Sequence, residues 1–290
     1  MATHTLSRMV HSIWDCGVTL FLFTYTDFKT IIGPVTCFAI AVAPLASLRH
    51  LLSGIFWIWL HLLQCNVSNQ YKSVVEDAIN RPWRPLPAGR ISATTATILR
   101  WALVPTCIGL SALYGADLAL TSASLTAVTI AYDEFKLAGH WFGKNLSAMF
   151  GYTVFEIGAT KLMGKSTSLD EISLQAISMS ALVILTTIHA QDCPDVTGDR
   201  ALGRVTLPIY APELSRIILL LLPLLWSVHL IGLWRIEGLA GAVFCALGVY
   251  IGWRYYALRS NLEDKTSYKI YNAWLLVAHL LPFNMRYKLM

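Results

Sequence analysis

The sequence predicts an all-α integral membrane protein with about nine transmembrane helices. Three observations carry that prediction. Of 290 residues, 56% are hydrophobic and only 13% charged, about half the charge of an ordinary soluble domain. Mean hydropathy is +0.56. The apolar residues also fall into separate runs close to the roughly 20 residues that a bilayer core requires. This composition excludes a disordered chain, a nucleic-acid-binding tail and a simple water-soluble globule. The net charge of +5, from 22 basic and 17 acidic residues, reads as loop bias of a membrane protein.

Residues 7–28 read as an amphipathic segment lying at the membrane interface. Asp15 interrupts the apolar stretch and no small-residue cleavage site follows, so a cleaved signal peptide is not expected. Candidate spans follow near 30–48, 51–68, 92–113, 117–133, 145–164, 171–191, 212–233, 237–257 and 268–284. The second continues, increasingly polar, to Asp77. No soluble domain or internal repeat interrupts the series, so residues 1–290 read as one transmembrane domain. The connections 78–91 and 192–211 fall on one side with most of the loop Lys and Arg, and the positive-inside rule places that side in the cytosol. Six isolated cysteines, with no Cys-x-x-Cys pair, indicate neither a zinc site nor a disulfide framework.

The two most acidic segments lie at the cytosolic ends of spans 2 and 6. In Asn69-Gln70-Tyr71-Lys72-Ser73-Val74-Val75-Glu76-Asp77, residues Asn69, Ser73, Glu76 and Asp77 share about a third of a helix circumference. In Asp192-Cys193-Pro194-Asp195-Val196-Thr197-Gly198-Asp199, the three aspartates would share a face if helical, although Pro194 and Gly198 should loosen the turn. Carboxylates at membrane depth are costly and usually functional or paired. Glu76, Asp77, Asp192, Asp195 and Asp199 repel one another unless a cation intervenes, and hard oxygen ligands select Mg²⁺, often shared with substrate phosphates. Arg81 and Arg84 follow the first cluster, Arg200 and Arg204 the second, and Lys136, His140 and Lys144 recur at i, i+4 between them. Carboxylates with this many bases suggest a magnesium-bridged polyphosphate. Solvated salt bridges at helix ends are the plainer alternative.

These residues resemble the UbiA superfamily of intramembrane prenyltransferases. The family's first motif, Asn-Asp-x-x-Asp-x-x-x-Asp, precedes an Arg-Pro-Leu-Pro-x-Gly loop, here Arg84-Pro85-Leu86-Pro87-Ala88-Gly89. Its second, Lys-Asp-x-x-Asp-x-x-Gly-Asp, is matched by Gln191 to Asp199, followed by Gly203 and Thr206-Leu207-Pro208. The resemblance implies helices around a central cavity, Mg²⁺ between the motifs and a prenyl diphosphate whose tail lies among the helices. By position, Asn69, Asp77, Asp192, Asp195 and Asp199 become metal and diphosphate residues, with Glu76 an added neighbour. Arg84, Lys136 and Arg204 become diphosphate contacts, beside the flanking Arg81 and Lys144. Gln70 and Ser73 depart from the usual aspartates and Gln191 from a frequent lysine. That pattern is similar to a divergent branch containing UbiA-type terpene cyclases. The analogy also implies residence in the endoplasmic reticulum membrane.

The expected activity is therefore Mg²⁺-dependent ionisation of an isoprenyl diphosphate, farnesyl or geranylgeranyl, with Asp77, Asp195 and Asp199 catalytic. Cyclisation of the resulting cation is favoured, and prenyl transfer to an aromatic or other small acceptor is the alternative. Aromatic faces could stabilise the cation. Tyr132, Trp141, Tyr152, Phe155, Trp226 and Trp274 are candidates, against ordinary packing roles. The chain's partners are then the substrate and the bilayer, with no nucleic acid and no obligate protein partner. A transporter is the rival from another class, with Arg100, Glu156 and His229 as a polar path, but half-chain repeats are not visible. His189, three residues before Asp192, could tune that cluster, remove a proton, or simply pack.

Overall fold

Caps, prolines and glycines set the helix ends. The computed structural model describes residues 14–135 and 137–288. Among these, two isolated bridges, Leu45–Gly164 and His140–Val205, are all the β-type pairing present. Helix α1 (14–24) passes through a 3₁₀ turn, Tyr25–Asp27, and a π turn, Phe28–Ile32, into α2 (Gly33–Val42). Pro34 sits in the first turn of α2, where a missing N–H is tolerated. Helix α3 (Leu48–Lys72) is capped by Ser47, which accepts from the His50 N–H, and α4 (Val74–Asn80) follows after a break at Ser73. Then come α5 (Ala93–Ala112), α6 (Ala116–Glu134), α7 (Trp141–Met163) and α8 (Glu171–Thr187), the last capped by Asp170. A 3₁₀ turn, Ile188–Asp192, leads to the short α9 (Val196–Ala201) and α10 (Leu207–Tyr210). Helices α11 (Pro212–Trp234), α12 (Gly238–Ala257), α13 (Asn261–Leu280) and α14 (Pro282–Tyr287) complete the chain.

Two expected spans moved. The first was expected over 30–48, but its helix stops at Val42. Beyond it the chain turns at Pro44, pairing Ala46 N–H with Met163 O at 2.9 Å and Lys165 N–H with Pro44 O at 3.0 Å. The last was expected over 268–284, yet α13 begins at Asn261 with Glu263 and Asp264 in its first turn. Asp264 is buried there because Arg216 neutralises it, a compensation that hydropathy does not register.

Helix α7 is central and packs on α2, α3, α6 and α8, while α11 lies along α12. Gly248 permits that last approach, since a Cβ there would stand 2.8 Å from Pro223 O; small residues let membrane helices close together. Buried hydrogen bonds also join helices: Trp57 Nε1 to Ser111 Oγ, 2.8 Å, and Gln64 Nε2 to Thr126 Oγ1, 2.8 Å. Among the described residues, five helical segments are long and apolar enough to cross a membrane: α3, α5, α8 with its 3₁₀ extension, α11 and α12. Their outer faces expose Leu225, Val228, Leu239 and Val243, as lipid contact requires. Chain direction brings the ends of α3 and α8 and the starts of α7, α11 and α13 together at one end of the bundle.

Candidate active site

The first motif occupies the break between α3 and α4. Ser73 N–H bonds back to Asn69 O at 3.1 Å, and its hydroxyl donates to the same carbonyl at 3.0 Å and to Asp77 Oδ2 at 3.4 Å. The break turns Glu76 and Asp77 onto a separate short helix. Asp77 is buried, and Arg84 Nη1 meets its Oδ1 at 2.7 Å. The proline-rich loop aims Arg84: Ala88 N–H returns to Arg84 O at 3.0 Å and Arg90 N–H to Pro85 O at 2.9 Å. Gly89 closes the turn at φ +68°, a left-handed conformation that favours glycine. Gln70, where the family has aspartate, is no ligand here. It is buried and donates to Phe23 O at 2.8 Å, tying α3 to α1.

The second motif forms an irregular turn, as Pro194 led one to expect. Asp195 N–H bonds Asp192 O at 3.1 Å, Asp199 N–H bonds Asp195 O at 2.9 Å, and Arg204 N–H bonds Asp199 O at 2.9 Å. Gly203, at φ +69°, makes the reversal that brings Arg204 back. Two further contacts dock this segment on the start of α7: Val205 N–H bonds Gly139 O at 2.9 Å, and Tyr210 stacks on Trp141 with centroids 6.0 Å apart.

One side chain joins the motifs. Arg204 Nη2 lies 3.0 Å from Glu76 Oε2, and its Nη1 lies 3.3 Å from Asp199 Oδ1. Lys144, from the first turn of α7, reaches Asp192 Oδ1 at 2.7 Å and Asp199 Oδ2 at 3.6 Å. Tyr132 lies within electrostatic reach of Lys144, Arg204 and Asp192. Asp195 is exposed and lies within electrostatic reach of Arg81 and Lys144. The expected repulsion among the carboxylates is thus answered by bases from three segments. Among the described residues no group of three His, Cys, Asp or Glu side chains is already gathered as a metal cage. Coordination capacity remains, because Asp192 Oδ2 and Asp199 Oδ2 are buried with no hydrogen-bond donor.

Other expectations resolve unevenly. Asn69 is half-buried beside Asp133, on the α6 side of the motif. Arg81 is exposed and within reach of Asp195. Lys136 lies outside the described residues. His140 does not share a helical face with Lys144: it is extended and caps α7 by accepting from Phe142 N–H. Arg200 lines a separate cleft with Arg216 and Arg259. His189 is buried, with Nε2 3.3 Å from Ser215 O, so it packs the turn against α11. Phe155 and Trp274 are core residues, and Trp226 Nε1 donates to Thr186 Oγ1 at 3.0 Å. Arg100, Glu156 and His229 form no path. Arg100 pairs with Glu134 at 2.6 Å, Glu156 bonds Ser180, and His229 is exposed beside Trp226.

The sequence reading missed the end of α6. Ser68 donates to Asp133, while Glu134 accepts from Lys72 at 2.9 Å and from Arg100 at 2.6 Å. An Asp-Glu pair ending an apolar span was the available signal.

Comparison with known proteins agrees with this geometry. Residues 30–276 match the UbiA prenyltransferase family. The chain belongs to the UbiA family. It is 30% identical over 265 residues, 91% of each chain, to fumagillin beta-trans-bergamotene synthase af520 of Aspergillus fumigatus. It is also 30% identical over 259 residues, 87% of this chain and 88% of the other, to polyprenyl transferase eriF of Hericium erinaceus. The fold superposes on a UbiA homolog from Archaeoglobus fulgidus, solved bound to GPP and Mg²⁺, with TM-score 0.64 at 15% identity, covering 92% of this chain and 99% of that one. This UbiA chain is therefore an all-helical integral membrane enzyme, a terpene cyclase or a prenyltransferase.

Proposed function

We propose that the chain is a membrane-embedded, Mg²⁺-dependent terpene cyclase that ionises an isoprenyl diphosphate, releases pyrophosphate and cyclises the allylic cation. The observation that carries the reading is Arg204 spanning Glu76 and Asp199, which makes one ionic site of two motifs whose paired residues are 123 positions apart in the chain. In this reading Asp77, Asp192, Asp195 and Asp199, with Asn69 and Glu76, hold Mg²⁺. The buried, donor-free oxygens of Asp192 and Asp199 suit a hard cation. Arg81, Arg84, Lys144 and Arg204, with Lys136, hold the diphosphate oxygens. Bound Mg²⁺ supplies charge neutralisation for the departing pyrophosphate.

The bases do the rest. As the carbon–oxygen bond breaks, its electron pair leaves on pyrophosphate, and Lys144 and Arg204 are already aimed where that charge grows. Cyclisation then requires only that the apolar bundle exclude water and present aromatic faces to the cation. The substrate class is a prenyl diphosphate, such as farnesyl or geranylgeranyl diphosphate, and the site faces the cytosol from the endoplasmic reticulum membrane, as the loop charges support.

Prenyl transfer to a small acceptor is the second reading, favoured by the similarity to polyprenyl transferase eriF. Two things support cyclisation over it. Gln70 and Ser73 replace acidic positions with structural contacts, and the bergamotene synthase aligns over 91% of both chains. An acceptor-free assay tests the choice. Detergent-purified protein is incubated with geranyl, farnesyl or geranylgeranyl diphosphate and Mg²⁺, and pyrophosphate and volatile hydrocarbons are measured. A cyclic hydrocarbon is the expected product. Pyrophosphate release that begins only when an aromatic acceptor is added overturns cyclisation.

A further inference from the structure

A second polar cluster lies deep in the bundle, away from every motif. Glu156 of α7, Ser180 of α8 and His279 of α13 are all buried. Ser180 Oγ donates to Glu156 Oε1 at 2.6 Å and lies 3.1 Å from His279 Nε2, which is 3.5 Å from the same carboxylate oxygen. Ser180 has one proton, and the Glu156 carboxylate takes that hydrogen bond. With Glu156 ionised, His279 donates from Nε2 to Ser180 Oγ. In the neutral imidazole this leaves Nδ1 as a bare acceptor. Nδ1 is buried and has no hydrogen-bond partner. Ser180 and His279 line a narrow, otherwise apolar cavity between α2, α8, α11 and α13, of the kind that stays dry.

Register connects this cluster to the ionic site. Glu156 lies twelve residues beyond Lys144 on α7, and Ser180 twelve before Asp192, each about 18 Å along the helix. Between the two levels stands an aromatic column on α13. Tyr268, within electrostatic reach of Asp192 and Asp195, stacks on Tyr271 at 6.2 Å, and Tyr271 adjoins Trp274 at 5.8 Å. His279, eleven residues after Tyr268, returns to the same helical face. A prenyl chain anchored by its diphosphate and reaching about 18 Å into the bundle would present its far end at the level of His279.

We propose that His279, backed by Ser180 and Glu156, is the proton acceptor that ends cyclisation; this rests on the cyclase reading above. The C–H bond beside the final carbocation breaks, and its electron pair becomes the product's carbon–carbon double bond. The proton moves to His279 Nδ1. The resulting imidazolium keeps its Nε2–H on Ser180 and has the Glu156 carboxylate 3.5 Å away to stabilise the charge. After the product departs, the proton returns to water.

The decisive variant is His279→Gln, whose amide can keep the donor bond to Ser180 while removing the Nδ1 acceptor. Full-length wild type and variant are assayed with farnesyl and geranylgeranyl diphosphates and Mg²⁺ for pyrophosphate and for hydrocarbon products together. The ratio of the wild-type hydrocarbon to pyrophosphate should fall about tenfold or more, with alcohols or isomeric alkenes taking its place. Glu156→Gln should shift the same ratio less. An unchanged product profile in His279→Gln overturns the proposal. If that variant does not fold, an unchanged profile in both Glu156→Gln and Ser180→Ala overturns it equally. A wild type that releases no pyrophosphate without acceptor instead defeats the cyclase reading itself, so the two failures are distinct.

Discussion

Two arginine–carboxylate systems stand at the same end of the bundle, and they are built differently. Arg216 meets Asp264 with both terminal nitrogens, at 2.5 and 2.8 Å, and gives a further bond to Tyr255 O at 3.1 Å. Its surroundings complete the grip on the second motif's turn: Tyr255 hydroxyl donates to Ala190 O at 3.1 Å and Asn261 to Pro194 O at 2.5 Å. Arg204, by contrast, divides itself between Glu76 and Asp199 at 3.0 to 3.4 Å and is 26% exposed against 11% for Arg216. A saturated pair has nothing to offer a ligand and serves the fold. A divided one, beside carboxylate oxygens lacking donors, can exchange partners, and so the same residue types specify a strut in one place and, in the function proposed above, a binding site in the other.

Breaking the strut should cost most. Arg216→Ala leaves Asp264 buried and uncompensated and should cost about 3–5 kcal/mol of stability, read as a lower thermal midpoint in detergent; an unchanged midpoint would remove Arg216 from the structural side of the comparison. Asp199→Asn should leave the midpoint nearly unchanged and slow pyrophosphate release by about 10²–10³-fold. Glu76→Gln frees one arm of Arg204 at a half-exposed contact. As Glu76 is the auxiliary member of the proposed Mg²⁺ set, the effect should stay within about 1 kcal/mol, roughly fivefold in rate, and a total loss of activity would make it an essential ligand instead.

The smallest effect lies at the opposite end of the bundle. Arg286 makes two 2.6 Å contacts with Asp170 and, chiefly by that hydrogen bonding, holds its carboxyl well below the ordinary carboxylate range. Because the folded value is depressed, the pair adds stability above the unfolded value of about 4 and loses it as pH falls through the folded value. Asp170 is 53% exposed, so the gain should be under about 1 kcal/mol. A thermal midpoint compared between wild type and Arg286→Ala at neutral pH and below pH 4 checks the sign, since the difference should shrink in acid.

The spans over α5, α11 and α12 were legible to within about two residues because an uninterrupted apolar run has few alternatives in a membrane protein. The start of α13 was not, since Asp264 looks expensive until Arg216, 48 residues away, is known to face it. In the site, both motifs stood out because charge is scarce in this chain and gathers there. The pairing scheme did not. Which base meets which carboxylate depends on turns at Gly89 and Gly203 and on the docking of Val205 against Gly139. Glu156, Ser180 and His279 were invisible as a group, since they meet across separations of 24 and 99 residues.

Helices α9 and α10 are short, and this segment is moored side chain by side chain: Lys144 on Asp199, Arg204 on Glu76, Val205 on Gly139 and Tyr210 on Trp141. Segments with few buried contacts open locally long before the whole protein unfolds. Amide hydrogens over residues 196–210 should therefore exchange with solvent sooner than those of α7 or α11. Any ligand that grips Asp199 and Arg204 together slows that exchange in proportion to its occupancy. The loop is thus a built-in reporter: its exchange rate measures ligand binding without any need to detect the ligand itself.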